Sequence, residues 1–230
     1  MRFISLGSWC GVTISLRGNS LYEQSLPFDY IRSTFIGIID CFKNNFNNFF
    51  PENIEVDIIP NYHHSGKSFR GKYFGFYHHN LYDNNVINDF RRRICRLTEL
   101  LISSKENIIF VRTIATHNYN DEIELSEKFV DIIKLNYPLL NFILVFIIPC
   151  QNSTSYYKNI NKQVFIFTLD DTTNDNRDMT ISTQYKPIYD YIINNDFFSD
   201  IILRPNTIDI QNVYNKWAEV DGVSIVKDCV

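Results

Sequence analysis

The chain has 230 residues, of which 45% are hydrophobic and 15% aromatic, and carries a formal net charge of −4. That length and apolar content suit a single domain, residues 1–230, with a sizeable core, and exclude wholesale disorder. The acidic balance offers no global attraction for nucleic acid or an anionic lipid surface, so neither is expected as a partner.

Residues 3–6 read as a short strand. A helix opens at residue 11, although Val12, Thr13 and Ile14 are weak helix formers. Pro27-Phe28-Asp29-Tyr30 breaks the pattern, and Ile31, Phe35, Ile38, Ile39 and Phe42 then keep helical spacing to about residue 46. Residues 54–59 alternate apolar and acidic side chains before Pro60, which suits an edge strand. Residues 61–73 are polar and read as a loop, and residues 73–77 as a strand running into His78 and His79.

The clearest helix spans residues 83–103, with Val86, Phe90, Ile94, Leu97 and Leu101 on one face and arginines on the other. Residues 108–112 form an apolar strand, residues 121–135 a helix, and residues 142–148 and 164–169 two strands of buried type. Residues 172–183 read as a polar loop, followed by a helix at 188–193, a strand at 201–203 and a helix at 210–218. There is no internal repeat and no dividing linker. This alternation predicts an α/β fold with a mostly parallel central sheet and helices on both faces. Ligands in such sheets bind beyond the carboxyl ends of the strands, which draws attention to residues 7–10 and 112–118.

Cys10 lies where a strand gives way to a helix. Unpaired backbone N–H groups and the helix dipole favour a thiolate there, whereas a buried cysteine is merely a small hydrophobe. Ser8 and Trp9 share its turn and could contact a ligand. Arg17 stands seven positions after Cys10, which does not fit a Cys-x5-Arg phosphate loop, and no nucleotide P-loop occurs. A nucleophilic cysteine needs a base, usually histidine. Five are present: His63, His64, His78, His79 and His117. His78 and His79 are the best placed, behind an aromatic run, and His117 is an alternative base or ligand-binding group. Asp29 either caps the following helix or orients a histidine, a place that Asn80 could also take. Arg112 either snorkels to the surface or anchors a carboxylate or phosphate in bidentate fashion. The cluster of Arg91, Arg92, Arg93 and Arg96 reads as a solvated helix face.

The five cysteines, Cys10, Cys41, Cys95, Cys150 and Cys229, show no CxxC pair, so neither a zinc site nor a disulfide scaffold is expected, and no metal or cofactor. The start MRFISLGSWC lacks a signal-peptide core, and the longest apolar run, 142–148, is too short to cross a bilayer. The expected location is cytoplasmic. Frequent isoleucine and asparagine match an AT-rich genome, such as that of a low-GC bacterium or a large DNA virus, and for a viral chain the location would be the host cytoplasm.

FISLGSWC, the pair Leu16-Arg17, Ser25-Leu26-Pro27-Phe28-Asp29-Tyr30, Phe76-Tyr77-His78-His79 and Ile109-Phe110-Val111-Arg112 together resemble a family of papain-like cysteine peptidases of bacteria and large DNA viruses. The likeness covers about the first half of the chain. It implies Cys10 as nucleophile, His78 or His79 as base and Asp29 as a candidate orienting acid, and offers a papain-like α+β fold as the alternative architecture. Three readings stand: a thiol-dependent hydrolase or acyl transferase acting on a peptide or small molecule, an α/β protein binding a phosphate-bearing or sugar-nucleotide ligand, and an interaction protein without an active site.

Overall fold

The computed structural model describes residues 1–51, 55–58, 67–114, 119–149, 156–169 and 178–198. The chain begins with β1 (Arg2–Ser5), α1 (Gly11–Gly18), β2 (Arg32–Ser33) and α2 (Phe35–Lys43). Three strands follow, β3 (Glu55–Ile58), β4 (Lys67–Arg70) and β5 (Phe74–Phe76), and then the long helix α3 (Asn84–Ser103). The remainder comprises β6 (Ile108–Thr113), α4 (Tyr119–Glu124), α5 (Ser126–Asn136), β7 (Phe142–Ile148), β8 (Tyr156–Asn161), β9 (Val164–Thr168) and α6 (Asp178–Asn194).

The main sheet has the order β1-β6-β7-β9-β8. Its first four strands pair in parallel, and β8 runs antiparallel to β9. Every residue of β6 and β7 is buried, which is why these strands read as unbroken apolar runs rather than alternating ones. Successive side chains point to opposite faces. Ile4, Phe110, Leu144 and Ile166 join one core with Phe35 and Phe42 of α2, Leu97 of α3 and Phe129 of α5. Phe3, Val111, Val145 and Phe167 join a second core with Val12 and Leu16 of α1 and Ile188 and Ile192 of α6. The expected α/β architecture, mostly parallel with helices on both faces, is therefore present.

A second sheet, β2-β5-β4-β3, is antiparallel throughout and brings an α+β element to the fold. Phe69, Phe74 and Phe76 from it enter the first core beside Phe28, Phe49 and Phe90.

Several boundaries differ from the sequence expectation. The helix expected over 31–46 is shorter, because residues 32–33 pair with Gly75 and Phe74 as β2 and Thr34 caps α2 by accepting from the Gly37 N–H at 3.2 Å. At its other end Asn45 and Phe46 take positive φ values of 54° and 61°, which stops the helix. Within the stretch read as a loop at 61–73, residues 67–70 form β4; its polar sequence carries only one large apolar side chain, Phe69, so periodicity is silent there. The helix at 121–135 is two helices broken at Leu125, and the strand β8 was not anticipated. Residues 178–183, read as loop, already belong to α6, whose buried Ile181, Tyr185, Ile188, Tyr189 and Ile192 recur at helical spacing. The expected elements at 201–203 and 210–218 lie outside the described residues. Among the described residues no helix is long and apolar enough to cross a membrane.

Candidate active site

The turn that delivers Cys10 is built at the carboxyl end of β1. Gly7 and Ser8 both adopt left-handed backbone angles, with φ of 70° and 80°. At Gly7 only glycine fits: a Cβ would stand 2.6 Å from Ser33 Oγ and 3.1 Å from the Phe28 carbonyl. The Gly7 N–H donates to Ser5 Oγ at 3.1 Å and the Ser8 N–H to Ser33 Oγ at 2.8 Å, so two serines from different segments pin the turn. Trp9 then packs against the α1/α6 core, lying over Gly11. Its indole N–H is buried and has no acceptor among the described residues.

Cys10 occupies the N-cap position of α1, with helical angles of φ −67° and ψ −18°, and its side chain makes no capping bond. Its carbonyl accepts the first α1 hydrogen bond from the Ile14 N–H at 3.0 Å. The cysteine is in no disulfide and is half-buried. Cys41 on α2 is in no disulfide either, but burial pushes its thiol well above the ordinary range, with Asp40 adding to the effect. Cys95 is disulfide-bonded.

Asp29 is 2% exposed and accepts three hydrogen bonds. They come from Thr13 Oγ1 at 2.9 Å, the Leu26 N–H at 2.8 Å and the Tyr22 hydroxyl at 3.1 Å. It neither stands exposed nor caps α2, where Thr34 takes that role. Desolvation raises its pKa despite the three donors that favour the anion, and Arg93 lends a favourable charge. Through Thr13 the carboxylate is tied to the helix that Cys10 begins.

His78 and His79 follow β5 and lie against different elements. The His78 ring is exposed and meets Tyr30 edge-to-face at 6.4 Å. The His79 ring is half-buried and meets Phe90 of α3 edge-to-face at 4.9 Å. Asn80 is exposed, and its side-chain oxygen accepts from the Tyr82 N–H at 3.1 Å, shaping the approach to α3. His63, His64 and His117 lie outside the described residues.

Arg112 does not reach the surface: it is completely buried. Its guanidinium is bidentate, as one alternative anticipated, but toward the chain's own Glu122, with Nε–Oε2 at 2.6 Å and Nη2–Oε1 at 2.7 Å. The remaining N–H groups donate to the Leu6 carbonyl, Ser33 Oγ and the Ser33 carbonyl at 3.0, 3.2 and 3.0 Å. All five donors are thus engaged within the protein. Arg112 braces the β1 turn and β2 through Leu6 and Ser33, and it has no donor left for a ligand.

Thr13, Ser33 and Glu122 are the supporting residues that sequence reasoning missed. Thr13 had a signal, a polar residue amid poor helix formers on an otherwise apolar face. Glu122 had none, because nothing in its neighbourhood shows that it folds back onto Arg112. Among the described residues no group of three or more histidines, cysteines or acids is placed to hold a metal ion. An open groove of about 730 Å³ runs between α1 and α6, with Ile14, Arg17, Tyr30, Lys186 and Asp190 in its walls.

Residues 1–152 match the family model described as "Putative papain-like cysteine peptidase (DUF1796)". The chain belongs to this family. The match contains Cys10, Asp29, both candidate histidines and Arg112. A relative from Acanthamoeba polyphaga mimivirus, "Uncharacterized protein R408", is 46% identical over 48 residues. That stretch is 20% of this chain and 22% of the viral protein, so the chain matches only about a fifth of its curated relative. No solved structure matches.

Proposed function

We propose that this family member is a thiol-dependent hydrolase or acyl transferase that uses Cys10 as its nucleophile. The observation that carries the reading is the setting of Cys10: a half-buried cysteine in no disulfide, on a pinned turn, opening a helix at the carboxyl end of a parallel strand. At a helix N-terminus the unpaired N–H groups of the first turn favour thiolate and an oxyanion alike, which supports this reading.

In this reading Cys10 Sγ attacks a carbonyl carbon of a peptide or small acyl substrate. An imidazole from the His78-His79 pair takes the thiol proton and gives it to the departing amine or alcohol. The same imidazole then takes a proton from water, whose hydroxide cleaves the thioester and releases the acid. Asp29 is a positioning residue here, acting on α1 through Thr13. The phosphate-ligand reading loses its anchor, because Arg112 is wholly engaged with Glu122, Leu6 and Ser33.

The test is acyl-enzyme capture with p-nitrophenyl acetate. The wild type should release a burst of nitrophenol and gain one acetyl group on Cys10 by peptide mass spectrometry. Cys10→Ala should abolish both, and one of His78→Ala or His79→Ala should slow the burst by at least about a hundredfold. Acetylation spread evenly over other nucleophiles, unchanged in Cys10→Ala, would refute the proposal.

A further inference from the structure

The groove between α1 and α6 holds a positive charge, Arg17, that makes no ion pair among the described residues. The Arg17 guanidinium lies 4.7 Å from the Tyr22 ring centroid and 5.6 Å from that of Tyr30, and Nη1 donates to the Tyr30 hydroxyl at 2.9 Å. Its other N–H groups have no acceptor among the described residues. The two rings hold the planar group in place while leaving it exposed, which prepares it for a bidentate partner.

Lys186, Asp190 and Asn19 of the groove are already committed. Lys186 pairs with Asp190 at 2.6 and 2.8 Å, one helical turn apart on α6. The Asn19 amide donates to the carbonyls of Ser15 and Ser182, both at 2.8 Å. Ile14, Leu21 and Ile193 supply apolar walls.

From this geometry we infer that Arg17 forms an acidic-side-chain subsite in the α1/α6 groove, so that the peptide substrate carries a Glu or Asp a few residues from the bond cut at Cys10. The inference rests on the thiol-enzyme reading for the identity of the reacting bond. Cys10, Ile14 and Arg17 recur at four and seven positions and so share one stripe of α1. At 1.5 Å per residue, Arg17 stands about 10 Å along the helix axis from Cys10, the span of about three extended peptide residues. Tyr30 links the two regions, since its hydroxyl holds Arg17 and its ring touches His78.

The test is an NMR titration of the full chain carrying Cys10→Ala, which needs no turnover. The probes are two acetylated Ala/Gly heptapeptides that differ only in a central Glu or Gln. The Glu peptide should shift the amides of Gly18, Asn19 and Ser182 and bind about five- to tenfold tighter than the Gln peptide. Arg17→Gln should make the two peptides equal while keeping the dispersed spectrum of a folded chain. Lys186→Gln should keep the preference, because that charge is already matched by Asp190. Equal binding of the two peptides by the parent protein, binding of neither, or a preference that survives Arg17→Gln overturns the subsite. A confirmed preference with no acetylation of Cys10 in the wild type would instead overturn the thiol-enzyme reading and leave an acidic-peptide binding groove. Acetylation of Cys10 without a Glu preference would remove the subsite alone.

Discussion

At Asp29 a dry environment and three hydrogen-bond donors pull in opposite directions, and desolvation wins. The sign of the consequence follows from linkage. Below the ordinary carboxylate range the folded and unfolded chains both hold the proton. As pH rises, the unfolded chain ionises first while the folded chain keeps its proton, so the stability contributed by this group falls until the raised folded pKa is passed. Asp29→Asn cannot ionise and lacks this loss. Urea unfolding between pH 4 and 7 should therefore show the wild type losing stability relative to Asp29→Asn as pH rises. Parallel profiles would mean that Asp29 is not held above its ordinary range. The sequence marked Asp29 as an acid between two aromatic residues, but not its partners. Thr13, Tyr22 and the Leu26 N–H reach it only once α1 has packed, a long-range fact that local spacing does not encode.

Among the elements, those with strong periodicity or unbroken apolar runs were legible, because burial on both faces or on one stripe leaves a direct trace in residue order. β6, β7, β9 and α3 are of this kind. The second sheet was largely illegible. Its strands have two to four residues, and their cohesion comes from aromatic side chains donated by other segments, Phe28 and Phe49 among them. The placing of Arg112 within β6 was read correctly, but its depth was not, since a strand can end in an exposed or a buried charge and the answer depends on Glu122 arriving from α4. That ion pair gives a direct stability prediction. Glu122→Ala would leave the guanidinium buried without its counter-charge and should cost about 3–5 kcal/mol in chemical denaturation. A loss below about 1 kcal/mol would show that the pair is not what holds β6 to the β1 turn.

Across the whole molecule, the parallel sheet with helices on both faces assigns different tasks to its two cores. The larger core, on the side of α2, α3 and α5, is built from stacked and edge-to-face phenylalanines that carry the second sheet and, with it, the two histidines. The smaller core seats α1 and α6 and leaves Cys10 at the rim, where β1 ends. Folding thus gives Cys10 a helix N-terminus and a pinned turn; in the proposed reading an imidazole of His78 or His79 completes the site. The family match, over residues 1–152, contains Cys10 and both histidines.

The most direct measurement of this claim is the rate of iodoacetamide alkylation at Cys10, read by mass spectrometry at pH 6.5 in the native protein and in 8 M urea. Activation by the fold predicts that native Cys10 reacts faster than the same residue in the unfolded chain, while Cys41, sealed in the core, reacts far more slowly when native. A native Cys10 that is slower than its unfolded counterpart would contradict the account at its centre.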